Sequence, residues 1–131
     1  MKAILKNYRQ SPRKVRLVAN LIKGKGISDV ETELSFLVKR AAAPFQKLIA
    51  SAVANAKHNF NLDKDDLYIK DVRVDKGIVM KRMMPRARGS ASRINKRTSH
   101  LIVVLDEKAN KVLKKASKKD DKKEAKEIKE K

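Results

Sequence analysis

"KRMMPRARGSASRINKRTSH", residues 81–100, holds seven Lys or Arg residues and no Asp or Glu. Its reading decides the fold, because it separates two strand-like segments. Before it, "LYIKDVRVDKG", residues 67–77, alternates apolar and polar side chains. Leu67 and Ile69 lie in one phase, Val72 and Val74 in the other, and a bulge near Lys70–Asp71 accounts for the slip. After it, "SHLIVVL" is almost continuously apolar, the pattern of a central strand. Paired, the two segments form a hairpin, and the quoted stretch is its extension. With about ten residues in each arm it projects ~33 Å, at about 3.3 Å per residue. Such an extension cannot bury its own charges, so it implies an anionic surrounding. Arg86, Arg88, Arg93 and Arg97 offer planar forks suited to phosphates and base edges. Gly89, Ser90, Ala91 and Ser92 keep the tip narrow, and Pro85 stiffens one arm. Met80, Met83, Met84 and Ile94 are available to hold the arms together or to pack on bases.

Charge elsewhere in the chain agrees. The 131 residues carry a formal charge of +19. Residues 1–28 hold eight basic residues and no acid, and residues 29–80 hold eight of each. Two acid-free blocks thus flank a neutral middle, a pattern that points to a polyanion partner. Cysteine is absent, which excludes disulfides and thiol catalysis and fits a reducing compartment. No run of 18 apolar residues suggests a membrane span, and no secretory signal is visible. Aromatic residues are few, so base stacking on an aromatic platform is not the expected binding mode.

"KAILKNYR" reads as a first strand. "QSPRKVRLVANLIKGKG" reads as a helix, with Ser11 placed to cap it, Pro12 at its first position and Gly24 and Gly26 ending it. Val15, Val18, Ala19 and Ile22 share its inner face. Arg13, Arg16, Asn20 and Lys23 share the other, and with Lys2, Lys6 and Arg9 of the strand they suggest phosphate contacts. "SDVETELSFL" has Ser28 and Glu31 at capping-box spacing, with Val30, Leu34, Leu37 and Val38 expected inward. "RAAAPFQKLIASAVANAKHNF" is the longest helix. It starts close to Pro44, with Phe45, Leu48, Ile49, Ala52 and Ala56 inward and Ser51, Asn55 and His58 outward. The Lys-rich tail, residues 109–131, is expected to be disordered or a solvated helix.

Catalysis finds no support in these patterns. Ser99 and His100 are strand neighbours and point to opposite faces, so they form no dyad. "GKG" lacks the spacing of a phosphate loop. No cofactor is implied, and without Cys or clustered His no metal is either. A free-standing basic nucleic-acid-binding regulatory or chromatin protein is the alternative that charge alone allows. Its helix-turn-helix form fits poorly, because "KGKGIS" does not match the tight turn and the more basic helix comes first.

Four stretches, "SPRKVRLVANLIKGK", "SAVANAKHN", "MKRMMPRARGSASRI" and "KRTSHLIVVL", occur in an order and spacing that resembles the L-twenty-two family of large-subunit ribosomal proteins, of bacterial and organellar type. The resemblance covers roughly residues 5–105. It implies an α+β fold: three helices packed on a small antiparallel sheet, with a long protruding β-hairpin. Residues 1–108 would be a single RNA-binding domain, with the hairpin extension at about 78–98. It implies a structural constituent of the large subunit, not an enzyme, that binds large-subunit rRNA of the 23S type and supports subunit assembly. The hairpin would line the nascent-peptide exit tunnel, where changes in the family are associated with macrolide resistance. The implied RNA contacts of the body are Lys6, Arg9, Arg13, Lys14, Arg16, Lys23 and His100. Those of the hairpin are Lys81, Arg82, Arg86, Arg88, Arg93, Lys96 and Arg97. The tunnel-lining tip would be Met84, Pro85, Arg86, Ala87, Arg88, Gly89, Ser90 and Ala91. Ser90 stands where many members carry Arg or Lys. The other partners implied are ribosomal proteins near the tunnel exit and the nascent peptide. The chain would act as a monomer within the ribosome of the cytoplasm or of an organelle, without membrane contact.

Overall fold

The computed structural model describes residues 1–108, so the expectation for the tail at 109–131 lies outside the described residues. Strand β1 (Lys2–Tyr8) leads into helices α1 (Pro12–Ile22), α2 (Ile27–Phe36) and α3 (Ala42–Phe60). A 3₁₀ turn at Lys64–Asp66 precedes the long strands β2 (Leu67–Pro85) and β3 (Ala91–Glu107). The fold is α+β, with three helices and an antiparallel sheet of order β1-β3-β2. The apolar run "SHLIVVL" therefore lies in the central strand, as expected.

One face of the sheet carries the core. Leu101, Val103 and Leu105 of β3 are fully buried with Leu67 and Ile69 of β2, against Val15, Ile22, Phe45 and Ile49 of the helices. Each such aliphatic or aromatic side chain contributes about 1.5–3 kcal/mol when removed from water. The inner faces read for α1 and α3 are the buried ones, residue for residue. The bulge read at Lys70–Asp71 is present: Ile69 pairs with Leu105 and Asp71 with Val104, so Lys70 is the extra residue.

Two local expectations need correction. Helix α2 starts at Ile27 with Gly26 as its N-cap and has no side-chain cap bond, so Ser28 sits inside the helix. The cause is tertiary. The Gly24 N–H donates to the Ile69 carbonyl at 2.8 Å and the Ile69 N–H to the Lys25 carbonyl at 2.9 Å. The α1–α2 connection thus runs along the edge of β2, and Ile27 follows directly into the core, fully buried. Val38, expected inward, is 95% exposed. The helix has ended at Phe36 and the chain is extended at Leu37, so successive side chains alternate and Val38 points out. Ser11 holds the N-cap position of α1, but its hydroxyl makes no cap bond.

Candidate nucleic-acid interface

Strand β1 last pairs with β3 at Ser99. Beyond that point β2 and β3 continue as a two-stranded ribbon, from Val79 opposite Arg97 to Pro85 opposite Ala91. Residues directly opposite in an antiparallel pair share a face. One face therefore bears Lys81, Arg93 and Arg97 beside Val79 and Met83. The other bears Arg82 and Lys96 beside Met80, Met84 and Ile94. Arg86 joins this second face, since its Nε donates to Ser92 Oγ at 3.1 Å. Both faces are cationic and both carry apolar side chains. Met83 is 77% exposed, so it does not close the two arms on each other.

The tip is a compact turn. The Arg86 N–H donates to the Ser90 carbonyl at 2.8 Å, and Ser90 Oγ donates to the Ala87 carbonyl at 2.9 Å. Arg88 and Gly89 reverse the chain in left-handed conformations, φ 57° and 68°. A Cβ on Gly89 would meet open space, so its backbone conformation, not lack of room, favours glycine. The whole run Lys81–Ala91 is exposed.

Acids are spent elsewhere. The ion pairs among the described residues are Lys23–Asp71 (2.7 Å), Lys25–Glu33, Lys64–Glu31 and Lys70–Asp106 (2.7 Å). The hydrogen bond from Lys23 holds the Asp71 carboxyl below the usual carboxylate range. That from Lys70 does the same for Asp106 and raises the Lys70 ammonium. No hairpin cation is ion-paired among the described residues, and none of those residues supplies a cluster of three metal-ligating side chains.

On the body, Lys6, Arg9, Arg13 and Lys14 are exposed along β1 and the first turn of α1. Arg16 and Lys23 are placed differently. The Arg16 guanidinium donates twice to the Val74 carbonyl, at 3.2 and 2.9 Å, and Lys23 holds Asp71. Both fasten α1 to β2, so the acid-free face of α1 carries less free charge than its composition suggests. His100 Nδ1 accepts the Asn7 N–H at 3.1 Å and secures the left-handed bulge of β1 at Asn7. Ser99 Oγ donates to the Gln10 carbonyl at 2.6 Å, from the opposite face of β3.

Sequence reading missed the place where the hairpin meets the body. There the β1–α1 turn, the loop before α3 and the free edge of β3 border an open cavity of about 500 Å³. Arg9, Gln10, Arg40, Asn95, Lys96 and Arg97 line it. Arg40 falls in the middle segment, which is neutral as a whole. Residues 34–62 contain four Lys or Arg and no acid, a finer division that would have exposed it.

Residues 3–106 match the family model described as ribosomal protein L22p/L17e. The chain is similar to proteins named large ribosomal subunit protein uL22. It is 49% identical to that of Herpetosiphon aurantiacus over 106 residues, which cover 81% of this chain and 94% of the relative. Against that of Deinococcus radiodurans it is 49% identical over 109 residues, covering 83% and 81%. Against that of Desulfitobacterium hafniense it is 51% identical over 107 residues, covering 82% and 94%.

Proposed function

Because this chain belongs to the ribosomal protein L22p/L17e family, we infer that it is a structural constituent of the large ribosomal subunit, built to bind RNA and not to catalyse. Residues 1–108 act as one RNA-binding domain with its hairpin extension at about 78–98. The ribbon enters large-subunit rRNA of the 23S type. Its tip, Met84–Ala91, lines the path of the nascent peptide. The body lies against RNA and neighbouring ribosomal proteins near the tunnel exit, as a monomer within the ribosome, and supports assembly of the subunit. The observation that carries this reading is the ribbon itself: cations on both faces, no carboxylate partner among the described residues, and exposure of every residue from Lys81 to Ala91. Lys81, Arg82, Arg86, Arg88, Arg93, Lys96 and Arg97 neutralise phosphates and hold the RNA strands around the ribbon. Lys6, Arg9, Arg13 and Lys14 extend the contact over the body. Arg16, Lys23 and His100 contribute with whatever donors their internal bonds leave free.

The test is a photoreactive residue at Ala87, in the exposed turn of the tip, in subunits assembled with the full chain. The expected result is co-sedimentation with the large subunit and crosslinks to its RNA and to a stalled nascent chain. Crosslinks to surface RNA alone would overturn the tunnel placement. Absence from the subunit would overturn the whole reading in favour of a free-standing basic factor.

A further inference from the structure

The cavity at the root of the hairpin has a makeup that general phosphate attraction does not explain. Arg9, Arg40, Lys96 and Arg97 bring four cations to it from three separate parts of the chain, and no acid lines it. Ser11, at the N-cap of α1, also lines it, and its hydroxyl makes no cap bond. The first turn of that 11-residue helix carries no acid to offset its positive end. Tyr8 holds Arg40 in place by donating from its hydroxyl to the Arg40 carbonyl at 3.2 Å.

Two features ask for more than a phosphate. Gln10 Oε1 is buried and has no hydrogen-bond partner among the described residues. Buried acceptors are normally satisfied, and a phosphate oxygen, having no proton, would be repelled there. A ribose hydroxyl or a base N–H would satisfy it. Met80, with its soft thioether, gives the wall an apolar patch on which a base can lie. The Asn95 amide can both donate and accept at a base edge.

We propose that this cavity seats a single RNA nucleotide turned out of its stack, with its phosphate met by the cations that line it, Arg40 among them, and its ribose or base donating to Gln10. The proposal rests on the RNA-binding reading above and adds to it a discrete site, with Arg40 and Gln10 as members. Splayed, unstacked nucleotides are the usual targets of specific RNA recognition.

The full chain is titrated with transcribed large-subunit RNA carrying 4-thiouridine, in wild type and in Arg40→Gln, Gln10→Leu and, on the ribbon, Arg93→Gln. Circular dichroism confirms folding of each; Arg40 is exposed in a loop and takes no part in the core. Arg40→Gln is expected to weaken binding roughly tenfold, as for one charge-assisted bond, and to reduce the salt slope by about 0.7. Gln10→Leu weakens binding without changing that slope. Crosslinked peptides are expected to contain Gln10 or Met80. If Arg93→Gln weakens binding while Arg40→Gln and Gln10→Leu do not, the seat is refuted and the RNA-binding reading stands. If Arg40→Gln acts alone and no crosslink falls in the cavity, the site is a phosphate contact and the nucleotide seat is refuted. If wild type itself does not bind RNA, both readings fall.

Discussion

Gly77 lies within a second break in the β2–β3 register, between Lys76 opposite Ser99 and Val79 opposite Arg97. A Cβ there would come within 2.5 Å of Thr98 Oγ1 and 3.3 Å of the Thr98 backbone carbon. Thr98 cannot easily yield, because it is buried and its Oγ1 donates to the Ile78 carbonyl at 2.7 Å. Close approach of two strands, not backbone conformation, makes glycine necessary. Gly77→Ala is expected to lower stability by about 1–3 kcal/mol, the range for an overpacked site. Urea unfolding checks this; a midpoint equal to wild type would show that the strands separate freely at this point. The sequence announced the first bulge and was silent on the second. At Lys70 the apolar phase changes beside a buried face, so the slip is visible. At Gly77 the sheet is about to leave the core, and alternation without a buried face carries no signal.

The ribbon formed by residues 79–97 continues the core sheet, yet its stability differs from that of the core. Two strands without a packed face are marginal in water. Leu101, Val103 and Leu105 on the same strand β3 are held between β1 and β2 under the helices. In amide exchange of the free chain, residues 80–96 are expected to exchange fast, by local opening, while residues 101–105 exchange only on global unfolding. Added large-subunit RNA should slow the first group and leave the second unchanged. Uniformly slow exchange along β3 in the free chain would contradict this. The hairpin was legible because an acid-free stretch sat between two strands. The start of α2 was misread because a capping pattern is local, whereas the edge pairing of Gly24 and Lys25 with Ile69 is not.

For the whole molecule, charge is sorted by position. The carboxylates of Glu31, Glu33, Asp71 and Asp106 are held by lysines of the body, while the hairpin cations project unpaired among the described residues. If the seven hairpin cations each neutralise one phosphate, log K for RNA falls by about five per decade of salt, at ~0.7 per charge. A titration over that range measures it, and a slope near one would show that the ribbon lies largely outside the RNA. Block counts along the sequence found the hairpin because its charges are contiguous. They could not find the cavity at its root, whose cations come from positions 9, 40, 96 and 97 and meet only when β1 ends beside β3. They also overcounted α1, since Arg16 and Lys23 are turned toward β2.

The sheet order β1-β3-β2 also sets how late in synthesis the sheet can be completed. The central strand is the last of the three to be made. Ala3 waits for Val103 and Leu5 for Leu101, and until then β1 and β2 have no common neighbour to join them. Helices α1 to α3 emerge before β2 and β3, with their apolar faces waiting for a sheet. A chain released before about residue 105 therefore lacks a continuous sheet on which those faces can close. An unfinished copy thus carries three amphipathic helices and a first strand that have nothing complete to pack against.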